Sequence, residues 1–301
     1  MRILLAVDGS PRADVARELV AAIDWPQGST IRLLSVISSV STLFATPWAP
    51  SVGETDALDS ELAAHAGELL EQAARQLAAS GCAIEREIVR GRPASAILEQ
   101  SAAWPPDIVV LGSRGHGRIA SMLLGSVAAE VVDHAEQSVL VARVPSLTRV
   151  VLAHDGSAYA RGAEELLSRW PIFGRAAIEV VSVAPAPFAG HTTLAAAMAA
   201  ELEDHARAAE AGLDEHRAIA NDAAGRLRAD GLRASAVVAQ GNPAEGVIGV
   251  ANGSQADLIV IGTHGRTGLT RVLLGSVARN VMLHAACSVL VARQPAVSID
   301  T

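Results

Sequence analysis

The chain has 301 residues, of which 50% are hydrophobic and 3% aromatic, and its formal net charge is −8. This length is enough for two domains of roughly 150 residues each. The acidic balance argues against a nucleic-acid partner, because nucleic-acid binders normally carry a basic face. No apolar run reaches the roughly 18 residues that a membrane span requires, so we expect no membrane partner.

The cysteines and the basic residues narrow the chemistry further. Cys82 and Cys287 lie at non-equivalent places in the two halves, and we expect both to be reduced and structural. The opening MRILLAVDGS reaches an acid and a turn too early for a signal peptide, so a cytoplasmic location is expected. All 24 basic residues are arginine, which excludes a Walker P-loop, since that loop needs a lysine on the phosphates.

The first half alternates strand and helix patterns along the chain. Its first apolar run ends in a turn at Asp8-Gly9-Ser10, and helical spacing of apolar residues follows. A proline-containing loop precedes a long amphipathic helix, and Pro93 opens the next helix at a favoured first-turn position. In chain order, the sequence predicts a strand at 2–7, a helix at 12–23, a strand at 31–36, a helix at about 56–79, a strand at 84–89, the helix opened by Pro93, a strand at 107–111, a helix at about 126–136 and a strand at 138–142.

The second half repeats the first. MRILLAVDGS matches RVVLAHDGS, which pairs Asp8 with Asp155 at an offset of 147 residues. From the third strand onward the offset is 150 residues, and both halves close on SVLVAR. A period of domain size indicates two similar domains rather than a solenoid, and we place them at residues 1–145 and 146–301.

Strands separated by helices predict parallel sheets with right-handed crossovers. Five strands with helices on both faces make an open doubly wound α/β domain, so we predict two such domains in tandem. Such sheets bind ligands at the carboxyl ends of the strands, where the strand order reverses. The closing strands, Val139–Val141 and Val289–Val291, would be exposed apolar edges, and we predict that they pair the two halves around a pseudo-twofold axis.

A spaced glycine motif follows the fourth strand of each half. In the first half Gly112 and Gly115 are followed, after nine intervening residues, by Gly125-Ser126. Glycines at this junction allow positive φ and close backbone approach to a ligand, and successive N–H groups can bind an anion. We predict that the serine is the N-cap of the next helix, whose N-terminus attracts phosphate. The second half repeats the motif with Gly262, Gly265, Gly275 and Ser276, and Arg114, Arg118 and Arg266 lie nearby in sequence.

Other strand ends are expected to complete each site. Asp8 follows the first strand, and if the first and fourth strands are neighbours its carboxylate faces the glycine loop, where it could accept from a ribose hydroxyl or hold Mg²⁺ through water. Val36 ends the second strand, where backbone groups could read a purine edge, and Gly91 ends the third strand on the other side of the base. The matching residues of the second half are Asp155, Val183 and Gly241.

The pattern Gly-2x-Gly-9x-Gly-Ser, with the early V-D-G-S turn and the closing S-V-L-V strand, resembles the universal stress protein family over nearly the whole chain. The resemblance implies strand order 3-2-1-4-5, dimerisation through the last strand, and ATP sites in both halves. It implies a nucleotide-dependent regulator in the stress response, with little or no turnover and an unknown protein partner. One departure is His154, which stands where the first half has Val7 and could alter the lip of the second site. The implied ATP contacts are Asp8, Val36, Gly112, Gly115, Gly125 and Ser126, then Asp155, Val183, Gly262, Gly265, Gly275 and Ser276.

Other functions are weighed against this one. Gly115 to Ala120 match a Gly-x-Gly-x-x-Ala dinucleotide fingerprint, but they follow the fourth strand, and Thr267 breaks the match in the second half. A hydrolase is disfavoured because the chain has neither a Gly-x-Ser-x-Gly elbow nor a His-Glu-x-x-His zinc motif. His116 and His264 are not equivalent in the repeat, which argues against a shared catalytic histidine.

Two alternatives stay open at this point. Slow ATP hydrolysis is one, with Asp8 and Asp155 as the only evident general bases. An interaction protein in which nucleotide is a structural staple is the other, because a ligand that binds only the folded state stabilises it. His205 and His216 lie in an acidic helical segment, and we expect them on its solvated face.

Overall fold

The structure is a computed structural model that describes residues 1–38, 52–115, 124–186, 199–265 and 274–293, with the backbone alone at 52–57 and 199–209. Within these residues each half contributes five strands. The first half has β1 (Arg2–Ala6), β2 (Thr30–Ile37), β3 (Ala83–Arg90), β4 (Ile108–Gly112) and β5 (Ser138–Ala142), and the second has β6 (Arg149–Ala153), β7 (Ala177–Ala184), β8 (Arg233–Gln240), β9 (Leu258–Gly262) and β10 (Ser288–Ala292).

Helices connect the strands in both halves. The described helices of the first half are α1 (Pro11–Ala22), α2 (Val52–Leu77), α3 (Pro93–Ala103) and α4 (Ser126–His134), and those of the second are α5 (Ala158–Arg169), α6 (Ala199–Ala229), α7 (Pro243–Gly253) and α8 (Ser276–His284). The long helix predicted at about 56–79 begins earlier, at Val52, and continues as a short 3₁₀ turn at Ala78–Ser80. In the described part of the chain, no helix is long and apolar enough to cross a membrane.

The ten strands form one sheet in the order β3-β2-β1-β4-β5-β10-β9-β6-β7-β8. Within each half the order is therefore 3-2-1-4-5, and neighbouring strands are parallel. This confirms the predicted tandem of doubly wound α/β folds. The order reverses between β1 and β4, and between β6 and β9, which places a switch point in each half.

Two apolar clusters cover the two faces of the sheet. Because side chains alternate along a strand, Leu140 belongs to one cluster and its neighbours Val139 and Val141 belong to the other. The helices α1 and α2 pack on the first face through residues such as Leu19 and Leu70. The helices α3 and α4 pack on the opposite face. Aliphatic residues make up most of both clusters, as expected for parallel strands that are covered on both sides.

The two halves meet through their closing strands. Strands β5 and β10 pair antiparallel, with Leu140 opposite Leu290 and Val139 opposite Val291. This confirms the predicted pairing of the two apolar edges. The backbone N–H groups of Arg143 and Arg293 each donate across the junction to a serine hydroxyl of the other half, at 3.1 Å in both cases.

Two arginines, the buried Arg143 and the half-buried Arg293, satisfy helix C-termini across this junction. The Arg143 guanidinium donates to the carbonyl oxygens of Met282, in α8, and Cys287. In reciprocal fashion Arg293 donates to the carbonyl oxygen of Val132, in α4, at 2.6 Å. The last carbonyls of a helix have no partner within the helix, so a cation from the other half is a favourable partner for them. Cys82 and Cys287 are free cysteines, and Cys287 is buried.

We predict that Arg143→Leu lowers the free energy of unfolding by about 1–3 kcal/mol, because it leaves the buried carbonyl oxygens of Met282 and Cys287 without their donor. Urea denaturation of the full chain would measure this loss. Arg75→Leu is the matched control, since the Arg75 side chain is 66% exposed and has only one distant ion pair. Equal unfolding midpoints for the two variants would contradict a stabilising role for Arg143.

Candidate functional site

The Asp-Gly-Ser turn after β1 orients a carboxylate and starts a helix. Gly9 has a φ of +75°, which a residue with a side chain rarely adopts. Asp8 Oδ1 accepts from the Ser10 N–H at 2.9 Å, and Ser10 Oγ accepts from the Ala13 N–H at 3.2 Å as the N-cap of α1. The Ser10 hydroxyl also donates to the Arg114 carbonyl oxygen, at 3.3 Å, and so ties the turn to the glycine loop. The second half repeats the turn with Asp155, Gly156 (φ +82°), Ser157 and Ala160.

The second carboxylate oxygen of each turn faces the glycine loop. A Cβ added to Gly115 would lie 2.7 Å from Asp8 Oδ2, and a Cβ added to Gly265 would lie 2.8 Å from Asp155 Oδ2. The structure thus brings together the aspartate and the second motif glycine of each half. Only a residue without a side chain allows this approach, because real Cβ atoms do not come so close to another heavy atom.

The motif glycines serve close packing and not unusual backbone angles. None of the six has a positive φ, so that part of the sequence interpretation is wrong. A Cβ on Gly112 would lie 2.6 Å from the backbone of Arg12, in the first turn of α1, and a Cβ on Gly262 would lie 2.7 Å from the backbone of Tyr159 in α5. The physical requirement is therefore close contact between the end of a strand and the start of a neighbouring helix.

The serines that close the motif are not helix N-caps, contrary to the prediction. Gly125 is the N-cap of α4 and Gly275 that of α8, while Ser126 and Ser276 are the first helical residues. The Gly125 carbonyl oxygen accepts from the Ala129 N–H at 2.9 Å, as the first bond of the helix. A glycine N-cap has no side chain to occupy the N–H groups of the first turn, which therefore receive no side-chain cap.

In the second half a cavity of about 440 Å³ joins the predicted residues. It lies at the carboxyl ends of β6, β7, β8 and β9, where a doubly wound sheet binds its ligand. All seven residues predicted for this half line it, namely Asp155, Val183, Gly241, Gly262, Gly265, Gly275 and Ser276. In the first half Val36 and Gly91 lie at the corresponding ends of β2 and β3.

The cavity also has lining residues that the sequence analysis did not assign to it. Val247 and Ile261 add apolar surface, and Thr263 follows the first motif glycine. Thr263 could have been predicted, because it directly follows a motif glycine in the sequence. Val247 could not, because α7 brings it to the cavity from another part of the chain. His216 also lines the cavity, and its Nδ1 lies 2.7 Å from Ser182 Oγ. The prediction of a solvated face is therefore wrong for His216, because α6 packs against β7.

Some predicted positions lie outside the described residues. They are the loop residues His116, Arg118, Arg266 and Thr267, and the side chain of His205.

His154, the departure noted in the repeat, lies beneath the second Asp-Gly-Ser turn. It is 4% exposed, and its Nδ1 accepts from the Gly156 N–H at 3.2 Å. Its Nε2 lies 3.1 Å from Glu164 Oε2, and Arg226 donates to both oxygens of Glu164, at 2.6 and 2.9 Å. Burial alone would raise the pKa of Glu164, but the contacts with His154 and Arg226 outweigh it and lower that pKa. Glu164, held by Arg226, thus contacts His154, and His154 in turn accepts from the turn that carries Asp155.

Among the described residues, no group of three or more histidine, cysteine, aspartate or glutamate side chains could hold a metal ion. Asp8 and Asp155 are each single carboxylates beside a glycine loop. A Mg²⁺ ion commonly binds through one or two carboxylates together with substrate phosphates and water. A magnesium ion at either aspartate would therefore need phosphate oxygens from a ligand.

The sequence of the chain matches a known protein family. The model of the universal stress protein family matches residues 1–143 and again residues 147–293. The chain belongs to the universal stress protein family. A universal stress protein of Mycobacterium tuberculosis is 30% identical, over 97% of this chain and 95% of the relative. Family membership and the tandem arrangement are thus shown by sequence.

Solved structures agree on the fold. The crystal structure of a universal stress protein from Archaeoglobus fulgidus covers 97% of this chain and 98% of its own, at 20% identity and a TM-score of 0.66. A family protein from Arabidopsis thaliana, solved with AMP bound, covers 46% of this chain and 88% of its own, at 24% identity and a TM-score of 0.33. The first comparison extends over both halves, and the second over about one half.

We predict that Glu164→Gln lowers the free energy of unfolding at pH 7 by about 1–3 kcal/mol, because it removes the charge that His154 and Arg226 contact. A group with a lowered pKa stabilises the fold above its ordinary value, here 4.5, and this contribution is lost as the pH falls through the lowered value. The difference between wild type and variant should therefore shrink in acid. Urea titrations at several pH values would measure it.

Glu71→Gln is the control for this prediction. The Glu71 side chain is 49% exposed and pairs with Arg75 and Arg86 on the surface. Exposed pairs contribute little, so this variant should change stability by less than about 1 kcal/mol. If the two glutamine variants behaved alike across the pH range, Glu164 would have no special role.

Proposed function

We propose that both halves of this universal stress protein bind ATP. The observation that carries the proposal is the second-half cavity, in which a carboxylate, a glycine loop and an uncapped helix N-terminus converge. Helix N-termini and glycine loops favour phosphate because their N–H groups point at the ligand. Its volume of about 440 Å³ lies within the usual range of roughly 300–1,000 Å³ for small-molecule sites.

The lining of the cavity suggests how the nucleotide would lie. The phosphates would bind at Gly265 and at the N-terminus of α8, near Ser276. The ribose would lie by Asp155, whose Oδ2 points toward the glycine loop. The base would pack at the apolar end, between Val183 and Gly241. In the first half the same parts would be supplied by Asp8, Val36, Gly91, Gly112, Gly115, Gly125 and Ser126.

Magnesium fits this arrangement as an ion carried by the nucleotide. Each site offers one carboxylate, and the phosphates would supply the remaining charge. Bound there, the ion would neutralise phosphate charge. Asp8 and Asp155 would hold it directly or through water, and the glycine loop would keep the phosphates within reach.

The proposed role is that of a nucleotide-dependent regulator in the stress response, with little or no turnover. We propose that residues 1–145 and 146–301 are the two nucleotide-binding domains and that the chain works in the cytoplasm as a homodimer with a further protein partner. Slow ATP hydrolysis is the alternative. Steady-state phosphate release would separate the two, since sustained turnover above that of an Asp8→Ala, Asp155→Ala double variant would favour the enzyme.

We predict that the purified chain binds about two ATP, and that Gly115→Ala and Gly265→Ala each remove one of them or weaken it at least about tenfold. The added Cβ would displace the carboxylate of Asp8 or Asp155, which lies under 3 Å away. Calorimetric titration of nucleotide-free protein would give the stoichiometry, and chromatography of denatured protein would show whether nucleotide is retained through purification.

Gly67→Ala and Gly249→Ala are the matched controls, one in each half. A Cβ at either position would meet no atom within 4 Å, so both variants should bind like wild type. Gly112→Ala is a poorer test because its Cβ would collide with the backbone of α1. Wild-type protein without nucleotide and without binding heat would overturn the proposed function.

We predict that Asp8→Ala weakens ATP binding at the first site more in the presence of Mg²⁺ than in its absence. If Asp8 holds the ion, its removal costs affinity only when the ion is present. Calorimetry with and without Mg²⁺, on protein that also carries Gly265→Ala, would isolate the first site. Equal losses in both conditions would assign Asp8 to the ribose and not to the metal.

A further inference from the structure

The two halves carry different side chains in the first turn of the helix that packs against the first motif glycine. Arg12, the second residue of α1, has its backbone against Gly112, and Tyr159, the second residue of α5, has its backbone against Gly262. Both side chains are exposed. The duplication thus placed an arginine at one site and a tyrosine at the other, on the same turn of the same helix.

At a second pair of equivalent positions, too, only the first half has an arginine. Arg114 lies two residues after the first motif glycine, and its Cα would be 3.1 Å from a Cβ on Gly125. His264 occupies the equivalent place, and its Cα would be 3.3 Å from a Cβ on Gly275. Both side chains are half-buried. At these two positions the first half therefore carries two arginines, where the second has a tyrosine and a histidine.

The charges of Arg12 and Arg114 act on Arg143, a buried neighbour. The pKa of Arg143 is lowered to about 10, mainly by burial and further by the charges of Arg12 and Arg114. Arg293 is its counterpart in the second half, and its pKa is also lowered by burial. The charges that act on Arg293 are the acids Asp133 and Glu136, which oppose that shift. Positive charge thus accumulates beside the first glycine loop.

In the second half the equivalent positions hold a pair of rings. The centroids of Tyr159 and His264 are 5.2 Å apart, with their planes at 47°. His264 lines the cavity, and its buried Nδ1 has no hydrogen-bond partner. Arg161 does not replace the missing charge, because it donates to the Gly156 carbonyl oxygen at 2.7 Å and lines a separate cavity of about 250 Å³.

We propose that the two sites differ in selectivity: the first prefers a nucleoside triphosphate to the monophosphate, whereas the second binds the two about equally. This rests on the proposed function. Arginine binds phosphate oxygens through paired, charge-assisted hydrogen bonds, so each added phosphate gains affinity beside Arg12 and Arg114. A tyrosine–histidine pair offers apolar surface and one ring nitrogen, so the second and third phosphates gain little.

The test compares ATP with AMP at each site separately. Calorimetry on Gly265→Ala measures the first site, and on Gly115→Ala the second. Tyr159 is the only tyrosine of the chain, so 3-fluorotyrosine labelling gives a single ¹⁹F resonance that reports on the second site alone in otherwise unaltered protein. We expect ATP to bind at least about tenfold more tightly than AMP at the first site, and the two to bind within about threefold at the second.

Exchanging these side chains between the two sites tests whether they cause the difference in the ATP-to-AMP ratio. Arg12→Tyr with Arg114→His should bring the ATP-to-AMP ratio of the first site down to that of the second, while Arg12→Lys with Arg114→Lys should keep most of it. Tyr159→Arg with His264→Arg should raise the ratio at the second site. The exchanges leave residues 116–123 and 266–273 untouched, so those loops cannot cause the change.

The outcomes separate this inference from the proposed function. Binding at both sites with equal ATP-to-AMP ratios, or a ratio that the exchanges do not move, would overturn the selectivity and leave nucleotide binding intact. Absence of binding heat for every nucleotide at both sites would overturn both. Thermal unfolding of each variant shows whether the variant is folded, and the reciprocal exchange at the second site provides an independent measurement.

Discussion

Contact between the end of one strand and the first turn of a neighbouring helix is the constraint on which each candidate site depends. Gly112 lets β4 approach the backbone of Arg12 more closely than any side chain would permit. This contact sets the distance between the glycine loop and the Asp8 turn, because that turn leads directly into α1. With a larger residue at Gly112, the carboxylate and the loop could not share one ligand.

The junction between the halves fixes where the two sites lie. Strands within each half are parallel, while β5 and β10 pair antiparallel. The strands of the two halves therefore run in opposite directions, so their carboxyl ends, and with them the two sites, face opposite ways. Arg143 and Arg293 reinforce the junction by bonding to helix carbonyls across it. Under the proposed function, no single nucleotide could bridge the two sites in this arrangement, so each site would recognise its ligand with the residues of its own half.

Periodicity and duplication were enough to predict the strands, the helices and the meeting of Asp8 with the glycine loop. These features depend on short-range patterns and on the rule that ligands bind at switch points. The strand order came from the family resemblance and not from the pattern. The reason for Gly112 could not be predicted, since the atoms that require it belong to Arg12, about a hundred residues earlier. The contact of His216 with Ser182 was missed for the same reason, because it depends on how α6 lies over β7.

Residues that shape the backbone are the same in both halves, whereas residues that do not shape it differ. The motif glycines and the aspartates recur because each packs against protein atoms, whereas the positions of Arg12 and Arg114 hold Tyr159 and His264 in the second half. His154 shows how far this divergence went, since its contact with Glu164, which Arg226 also binds, lies beneath one turn and has no counterpart at Val7 beneath the other. Recurrence of the motif is thus evidence for a shared shape. Selectivity has to be sought in the side chains around it, where the two halves differ in charge.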